Sequence, residues 1–165
     1  MRKWIVAALF ASITGQVSAQ DVTIRDIFKQ MPDSLMPYLS QNNRLDFIDF
    51  LDSHMKAEVR NTLGGTSEMT ALADDSLTIR MSESLKTDLL LLPLAQPIDS
   101  ISQVVAMVET FLVDSLYGES RVSYFTPDWQ RFPSEPVLSV EEKKRIKGHI
   151  LQTILKKDEE VLNKR

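Results

Sequence analysis

The spacing of apolar and polar residues changes along the chain and divides it into a helical part and a sheet part. Between positions 22 and 57, apolar residues recur every three or four positions, which is the spacing of one face of a helix. Pro32 interrupts this part, because a proline disfavours helical geometry in the residue before it. The predicted elements are a helix over 22–31, a short turn from Asp33 or Ser34, and a helix from Asn42 or Asn43 to about Ala57.

After Gly64-Gly65 the apolar positions alternate with polar ones, which indicates strands with one buried face. Asp74-Asp75 can form the turn between the first two of these strands. Prolines at 93 and 97 are expected to end the third, and Leu116-Tyr117-Gly118 is expected to turn the chain. The predicted strands are residues 68–73, 76–81, 89–94, 102–113 and 121–126, followed by a proline-rich loop over 127–136.

The C-terminal part returns to helical spacing. Ser139-Val140-Glu141-Glu142 has the pattern of a capping box, and an amphipathic helix is predicted from there to about Leu162. Gly148 lies inside this helix at a cost of about 1 kcal/mol relative to alanine. The pattern therefore predicts an α+β fold with N-terminal helices, an antiparallel sheet of four or five strands, and a C-terminal amphipathic helix packed on the sheet.

Residues 1–19 have the three parts of a secretory signal peptide. Positively charged residues precede an apolar run over 4–13, and Val17 and Ala19 occupy the positions that a signal peptidase reads. The apolar run is too short for a membrane span, which needs roughly 20 residues. We predict cleavage after Ala19, which leaves residues 20–165 as a single domain in the periplasm or outside the cell.

The composition excludes several kinds of site. The chain has no cysteine, which rules out disulfides, thiolate metal sites, a thiol nucleophile and the acylated cysteine of a lipoprotein. The formal charge of the chain is −4, and cleavage of the signal peptide removes two positive charges, which makes the mature chain more acidic. General nucleic-acid binding requires a basic surface. We therefore expect a soluble mature protein with no nucleic-acid partner, no membrane span and no lipid anchor.

Several sequence blocks form a specific pattern through their order and spacing, and they lie at residues 31–35, 42–50, 55–59, 64–65, 67–69, 72–75, 91–94 and 125–129. In these blocks the chain resembles a family of exported Bacteroidales proteins, domain-of-unknown-function family 3256. The resemblance covers roughly residues 20 to 132. It implies a Bacteroidales origin, export and a compact α+β fold, and it supplies no activity and no catalytic residue.

Acidic residues provide one candidate for chemistry. Asp46, Asp49 and Asp52 recur every three positions on the third predicted element, and His54 follows in the apolar arc of the same helix. Such groups could form a calcium site or an acid–base pair, and Asp74-Asp75 could bind a cation. A hard cation usually needs a loop that wraps six or more oxygens around it, so a solvated helix face and a simple turn are the favoured interpretations.

The known catalytic motifs do not occur in the chain. We find no Gly-x-Ser-x-Gly elbow, no phosphate-binding loop and no Gly-x-Gly-x-x-Gly fingerprint. The second histidine, His149, has no acid near it in sequence, and two isolated histidines form no zinc signature. We therefore predict no catalytic residue, no metal ligand and no cofactor-binding residue.

The proline-rich loop is the best candidate for an interaction surface. Trp129, Arg131 and Phe132 lie on it, and aromatic side chains on a stiff loop lose little entropy when a partner buries them. The alternative is that Trp129 and Phe132 plug one end of the sheet, which is the more common fate of large aromatic residues.

Taken together, the sequence favours an exported, non-enzymatic periplasmic binding or interaction module whose partner is an unknown envelope protein or a small ligand. The alternative is a small hydrolase or metal-dependent enzyme that uses Asp46, Asp49 or Asp74 with His54, which requires these groups to converge in one cleft. A third hypothesis is a structural or assembly factor of the envelope that acts through the Trp129 loop or the last helix.

Overall fold

The computed structural model of the chain describes residues 22–113 and 116–162, which form three α-helices and a six-stranded sheet. The strands are antiparallel and lie side by side in chain order. The α+β class is confirmed, with six strands where four or five were predicted. The elements are α1 (Ile24–Lys29), α2 (Gln41–Asp52), β1 (Glu58–Arg60), β2 (Thr66–Leu72), β3 (Ser76–Ser82), β4 (Leu85–Ile98), β5 (Ile101–Val113), β6 (Leu116–Phe125) and α3 (Val140–Leu162).

One face of the sheet packs beneath α1 and α2, and we call it the N-terminal face. Successive strand residues point to opposite faces, so the odd-numbered apolar residues of β3, β4 and β5 share this side. They form one continuous apolar core with the two helices and with Trp129 from the loop after β6. The strand residues of this core include Leu77, Ile79, Leu89, Leu91, Val105 and Met107, and the helix residues include Ile24, Ile27, Phe28, Phe47 and Ile48.

The opposite face, which we call the C-terminal face, packs beneath α3. Its core is smaller and consists of even-numbered strand residues with Leu138 and Ile146. The strand residues are Leu90 and Leu92 of β4 and Val104, Ala106 and Val108 of β5. This arrangement confirms the C-terminal helix on the sheet, and it places the helices on both faces. None of the described helices combines the length and apolar character of a membrane span.

Helix α2 begins and ends earlier than the sequence predicts. Its N-cap is Ser40, whose hydroxyl accepts a hydrogen bond from the Asn43 N–H while the Asn43 side chain accepts one from the Ser40 N–H. The prediction of Asn42 or Asn43 as the cap is therefore wrong. The helix ends at Asp52, and His54 has a φ of 55°, in the left-handed region that ends helices.

The sequence pattern also missed a strand directly after the predicted helix. Residues 53–57, predicted to be helical, instead leave α2 and lead into β1, where Glu58 pairs with Glu68 of β2. Strand β1 is only three residues long, too short to show an alternating pattern of its own. Asn61 then bonds the amides of Leu63 and Gly65, so a side chain fixes the turn into β2.

Strand β4 continues through both prolines that were expected to end it. Pro93 pairs with Gln103 of β5, and its other edge lies beyond the end of β3. No described strand lies on that side of Pro93 to accept a hydrogen bond from its backbone nitrogen. A proline there therefore removes no hydrogen bond from the sheet. The predicted turn at 116–118 is also wrong, because β6 begins at Leu116 opposite Val113. Residues 114–115 lie outside the described residues.

Candidate functional site

A buried carboxylate on the C-terminal face gathers polar groups from distant parts of the chain. Asp88, in the middle of β4, is fully buried. Thr78 of β3 donates a hydrogen bond of 2.6 Å to Asp88 Oδ1, and His149 Nδ1 of α3 lies 3.1 Å from the same oxygen. Lys86 Nζ lies 2.9 Å from Oδ2, as an ion pair without hydrogen-bond geometry. We call Thr78, Lys86, Asp88, His149 and Thr153 the Asp88 cluster.

The cluster connects α3 to the sheet. Lys86 Nζ donates to the backbone oxygen of His149 at 2.9 Å and to Thr153 Oγ1 at 2.6 Å. Thr153 Oγ1 in turn donates to the same backbone oxygen at 3.1 Å. A buried charge is tolerated only when opposite charge and hydrogen bonds offset the loss of hydration. Lys86 supplies the opposite charge for Asp88. Its ammonium group also donates hydrogen bonds to two groups of α3.

A second polar contact holds the first turns of α3. Arg145 reaches Asp75, in the turn between β2 and β3, at 2.6 Å and Glu142 of its own helix at 3.0 Å. The Ser139 hydroxyl accepts a hydrogen bond of 3.2 Å from the Glu142 N–H, which confirms the serine part of the predicted cap. Helix α3 therefore has an apolar contact through Ile146 and polar contacts on either side of it.

The Asp88–His149 pair has the geometry of an acid that orients a histidine. In a hydrolase, such a histidine needs a nucleophile at its other ring nitrogen. Among the side chains that the structure describes, no nucleophile forms a hydrogen bond with Nε2 of His149, and the Thr153 hydroxyl bonds the backbone instead. The contacts of Asp88 and His149 hold α3 in place, and they do not indicate a reaction.

The sequence missed this cluster because its members are far apart in the chain. His149 has no acid near it in sequence, and the acid that it contacts lies 61 residues away. One signal was present: Lys86 and Asp88 lie two positions apart directly before the apolar run 89–94. If the strand begins before that run, both side chains share one face. Two opposite charges on a buried strand face require a partner from another element.

The acidic residues proposed for catalysis do not converge. Asp46, Asp49, Asp74 and His54 are all exposed, and no hydrogen bond or ion pair joins any two of them in the described chain. No group of three or more acidic or histidine residues within the described ranges could hold a metal ion. His54 lies beyond the end of α2 rather than in its apolar arc, so that prediction is wrong.

Asp52 has a structural partner on the neighbouring helix. Its two carboxylate oxygens accept hydrogen bonds of 2.7 and 2.9 Å from Arg25 of α1. This bidentate contact lowers the pKa of Asp52 and raises the pKa of Arg25. The pair joins α1 to the C-terminal end of α2, and Asp52 is thereby committed to holding the two helices together.

The Trp129 loop contributes to the core of the N-terminal face. The Trp129 side chain is buried, its Nε1 donates a hydrogen bond of 2.9 Å to the Ile27 backbone oxygen, and its ring lies 5.6 Å from that of Phe125. Phe132 packs partly buried against the other face. Trp129 and Phe132 thus pack against opposite faces of the sheet, and a plug at one end of the sheet stays a prediction. Arg131 is exposed, and an interaction surface formed by Trp129, Arg131 and Phe132 stays a prediction.

A depression beside the helices of the N-terminal face is too small for the ligands that protein pockets usually bind. The depression between Leu35, Tyr38 and the strand residues Thr87 and Met107 encloses about 30 Å³. That volume holds about one water molecule, whereas ligand pockets usually measure several hundred Å³.

The hairpin of β4 and β5 extends well beyond its neighbours, and we call residues 93–103 the arm. Strand β3 pairs with β4 only as far as Leu90, and β6 pairs with β5 only from Val105 onward. The tip is a two-residue turn at Asp99 and Ser100, with φ values of 45° and 69°. Contacts at the base include a hydrogen bond of 3.0 Å from the Ala95 N–H to the Val137 oxygen.

The arm exposes several apolar side chains to solvent. Ile98 is 41% exposed, and Ala95 and Pro97 beside it are also exposed. Ile98 pairs with Ile101 across the hairpin. An isolated two-stranded ribbon is marginally stable in water, and exposed apolar residues on such a ribbon gain free energy if another surface covers them.

Comparisons with known proteins place the chain in a family and leave its activity open. The model of the family described as "Protein of unknown function (DUF3256)" matches residues 15–164. The chain belongs to this family. No curated protein shows a significant match.

Two chains of solved structures match. One is described as the structure of a domain of an uncharacterized protein from Porphyromonas gingivalis W83, with 22% sequence identity and a TM-score of 0.54. The match covers 67% of this chain and 53% of that chain, so this chain spans about half the length of its neighbour. At this identity the likeness supports the fold alone.

Proposed function

We propose that this member of the DUF3256 family is an exported interaction module without catalytic activity, and that it binds another protein of the cell envelope through its arm. The observation that carries the proposal is the exposure of Ala95, Pro97 and Ile98 on a hairpin that extends beyond the rest of the sheet. A projecting ribbon with an apolar tip makes few contacts with the rest of its own chain. Its shape suits insertion into a partner protein.

The use of polar groups inside the fold supports a role without catalysis. Asp88 and His149 hold α3, Asp52 holds α1, and Arg44 donates to backbone oxygens between the N-terminal elements. A catalytic acid or base must instead meet a substrate in a cleft. A protein partner is favoured over a small ligand because the depression beside Tyr38 admits only about one water molecule.

Export is part of the proposal and rests on the N-terminal sequence. The charged start, the short apolar run and the small residues before position 20 are together typical of a secretory signal. We also propose a Bacteroidales origin, which rests on the resemblance of the ordered sequence blocks to this family. N-terminal sequencing of the protein from a periplasmic fraction is expected to begin at Gln20. Recovery from the cytoplasm with Met1 intact would contradict export.

The arm is tested by removing its apolar tip without changing the fold. The double substitution Ile98→Ser and Ile101→Ser keeps the hairpin register and removes two aliphatic side chains from the tip. Leu63→Ser is the matched control, because Leu63 is 72% exposed in the turn between β1 and β2, away from the arm. Each protein is cross-linked in an envelope extract of its own organism, and the attached proteins are quantified by mass spectrometry.

We expect the wild type and Leu63→Ser to capture the same protein, and the arm variant to lose most of it. Circular dichroism melts show whether all three chains remain folded. Equal capture by the three proteins would remove the arm from consideration. Capture by none of them would contradict an envelope-protein partner altogether.

A further inference from the structure

The outer edge of β6 is open over most of its length. In an antiparallel ladder, the backbone groups of alternate residues point to alternate neighbours. The Leu112 N–H bonds the Ser84 oxygen beside β4, so even-numbered residues of β5 point toward β4 and odd-numbered ones toward β6. From Glu119 to Phe125 the odd-numbered residues of β6 therefore bond β5, and the even-numbered residues point outward. Gly118 lies at a register shift without a partner on β5, and Leu116 before it pairs with Val113.

An independent contact gives the same assignment. The Tyr124 oxygen accepts a hydrogen bond of 2.9 Å from the Phe132 N–H, which lies on the outer side of the strand. Arg131 forms an isolated bridge with Phe125 at the same place. The chain thus covers the edge itself near Tyr124. From Gly118 to Ser123 no other described backbone group bonds the outer side, which leaves the outward amides and carbonyls of Ser120 and Val122 available.

We propose that this edge pairs antiparallel with β6 of a second copy of the chain, around a two-fold axis at Ser120. In this register Ser120 faces Ser120 of the second copy, and Val122 faces Gly118. Outward-pointing residues thus face outward-pointing residues, which forms narrow hydrogen-bonded pairs across the axis. The register also sets Glu119 opposite Arg121 twice, once on each side of the axis.

Charge complementarity selects this register over its neighbours. An axis at Arg121 would place two arginines directly opposite each other, which destabilises a sheet. An axis at Val122 would bring Tyr124 opposite Ser120, where the segment at Arg131 and Phe132 already occupies the outer edge. The register at Ser120 avoids the arginine pair. It brings only Leu116, the first residue of the partner's β6, opposite Tyr124, so the overlap with that segment is confined to the end of the partner strand.

The two charged residues have the capacity to form these pairs. Glu119 is exposed, and no ion pair or hydrogen bond of its carboxylate is found among the residues that the structure describes. Arg121 bonds Glu109 of β5 through Nε and one terminal nitrogen at 2.9 and 2.7 Å. Its other terminal nitrogen can donate to Glu119 of the second copy. Antiparallel self-pairing also closes the assembly at two chains, because a two-fold contact uses the same edge on both.

The test measures association of the mature chain, residues 20–165, by analytical ultracentrifugation over a range of concentrations. The wild type is expected to form a dimer. Glu119→Lys places lysine opposite arginine twice, and we expect its dimer dissociation constant to rise at least about tenfold. Arg121→Glu places two glutamates opposite each other, with the same expected effect.

The decisive step mixes the two variants. In a heterodimer of Glu119→Lys with Arg121→Glu, both cross-strand pairs are again of opposite charge, so the mixture is expected to dimerise where each variant alone does not. Glu141→Lys, on the exposed first turn of α3, is the control for a change in net charge and is expected to dimerise as the wild type does.

Three results would overturn the proposal: a monomeric wild type at all concentrations, a Glu119→Lys dimer as tight as the wild type, or no heterodimer in the mixture. Because Arg121→Glu also faces Glu109 within its own chain, its thermal unfolding is measured first. If that variant does not fold, Val122→Pro replaces it. Proline removes only an outward amide at that position and is expected to abolish the dimer. A Val122→Pro variant that still dimerises would equally overturn the proposal.

Discussion

The two faces of the sheet each bury one charged side chain, and they neutralise it in different ways. On the N-terminal face Arg44 is 1% exposed and donates to the backbone oxygens of Leu39 and Met31 at 2.8 and 2.5 Å. Its guanidinium also meets Asp33, whose side chain reaches solvent. On the C-terminal face Asp88 is fully buried and relies on the side chains of Lys86, Thr78 and His149.

This difference determines how firmly each layer of helix is held. Backbone oxygens have fixed positions once the chain has folded, so Arg44 joins the segment around Met31 and Leu39 to α2 as one rigid unit. Lys86 and His149 retain some exposure at 15% and 23%. Side chains that reach water can exchange a protein partner for a hydration shell. We therefore expect α3 to open more readily than α1 and α2.

The largest effect is expected from Arg44→Met. Methionine fills much of the volume but leaves the oxygens of Met31 and Leu39 buried without donors, and such groups cost about 1–3 kcal/mol each. We expect a loss of about 3 kcal/mol in the free energy of unfolding, measured in urea. Arg25→Met is the matched control, since Arg25 is partly exposed and its change should be small. Equal losses of unfolding free energy in the two variants would mean that the buried Arg44 stabilises the fold no more than the partly exposed Arg25 does.

A somewhat smaller effect is expected from Asp88→Ala, which leaves Lys86 near a fully buried site without its counter-charge. We expect a loss of about 2 kcal/mol, less than for a fully enclosed pair because Lys86 can turn to solvent. Hydrogen exchange should accelerate in α3 and change little in α1 and α2. Asp75→Ala removes an exposed carboxylate that also contacts α3 and serves as the control.

A triple variant of Lys86→Leu, Asp88→Leu and His149→Leu separates charge from packing. Apolar residues of similar volume often replace a buried ion pair without loss of stability. The triple variant should therefore be more stable than Asp88→Ala. If the triple variant is less stable than Asp88→Ala, the Asp88 cluster itself contributes favourable free energy to folding. The two faces of the sheet are then more alike than the geometry indicates.

Gly148→Ala is expected to strengthen the weaker layer. Apart from the backbone of its own helix and its two chain neighbours, no atom lies within 4 Å of the position that a Cβ would occupy there, so alanine meets no obstacle. The free energy of unfolding should rise by about 1 kcal/mol through helix propensity alone, as a urea titration would show. A decrease would indicate that α3 depends on flexibility at this position. Gly118→Ala is a contrasting variant, because a Cβ there would lie 3.3 Å from the Phe111 oxygen.

The smallest effect concerns the exposed pair of Arg25 and Asp52, and it depends on pH. Arg25 lowers the pKa of Asp52 in the folded chain, so the pair stabilises the fold above the carboxyl's unfolded pKa and this gain is lost as the pH falls through the lowered folded value. Thermal melts of wild type and Asp52→Asn should differ at neutral pH and converge in strong acid. Asp46→Asn removes an exposed carboxylate from the same helix and is the control for the change in net charge.

Local patterns predicted the elements whose signals are strong. The alternation of Leu77, Ile79 and Met81 located β3, and the apolar run from position 102 located β5. Helix α3 follows the Ser139 cap as predicted. These predictions succeeded because a long element with one buried face repeats its period often enough to be recognised.

The short or exceptional features escaped the same reasoning. Strand β1 has three residues. Pro93 and Pro97 lie inside β4 because no described strand pairs with that part of β4 on the side away from β5. Whether a proline ends a strand depends on which strand lies beside it, and that is a property of the assembled sheet. The open edge of β6 could not be predicted for the same reason.

The sequence by itself determined the class of fold, the order of most elements, the lack of thiol chemistry and membership in one family. It did so because periodicity, composition and ordered blocks of residues are local properties. Only the tertiary structure decided that Asp88 would meet His149, that Trp129 would bond Ile27, and that Asp46, Asp49 and His54 would remain apart. The physical reason is that a buried polar group takes its partner from whichever element packs over it, and distance along the chain does not limit that choice.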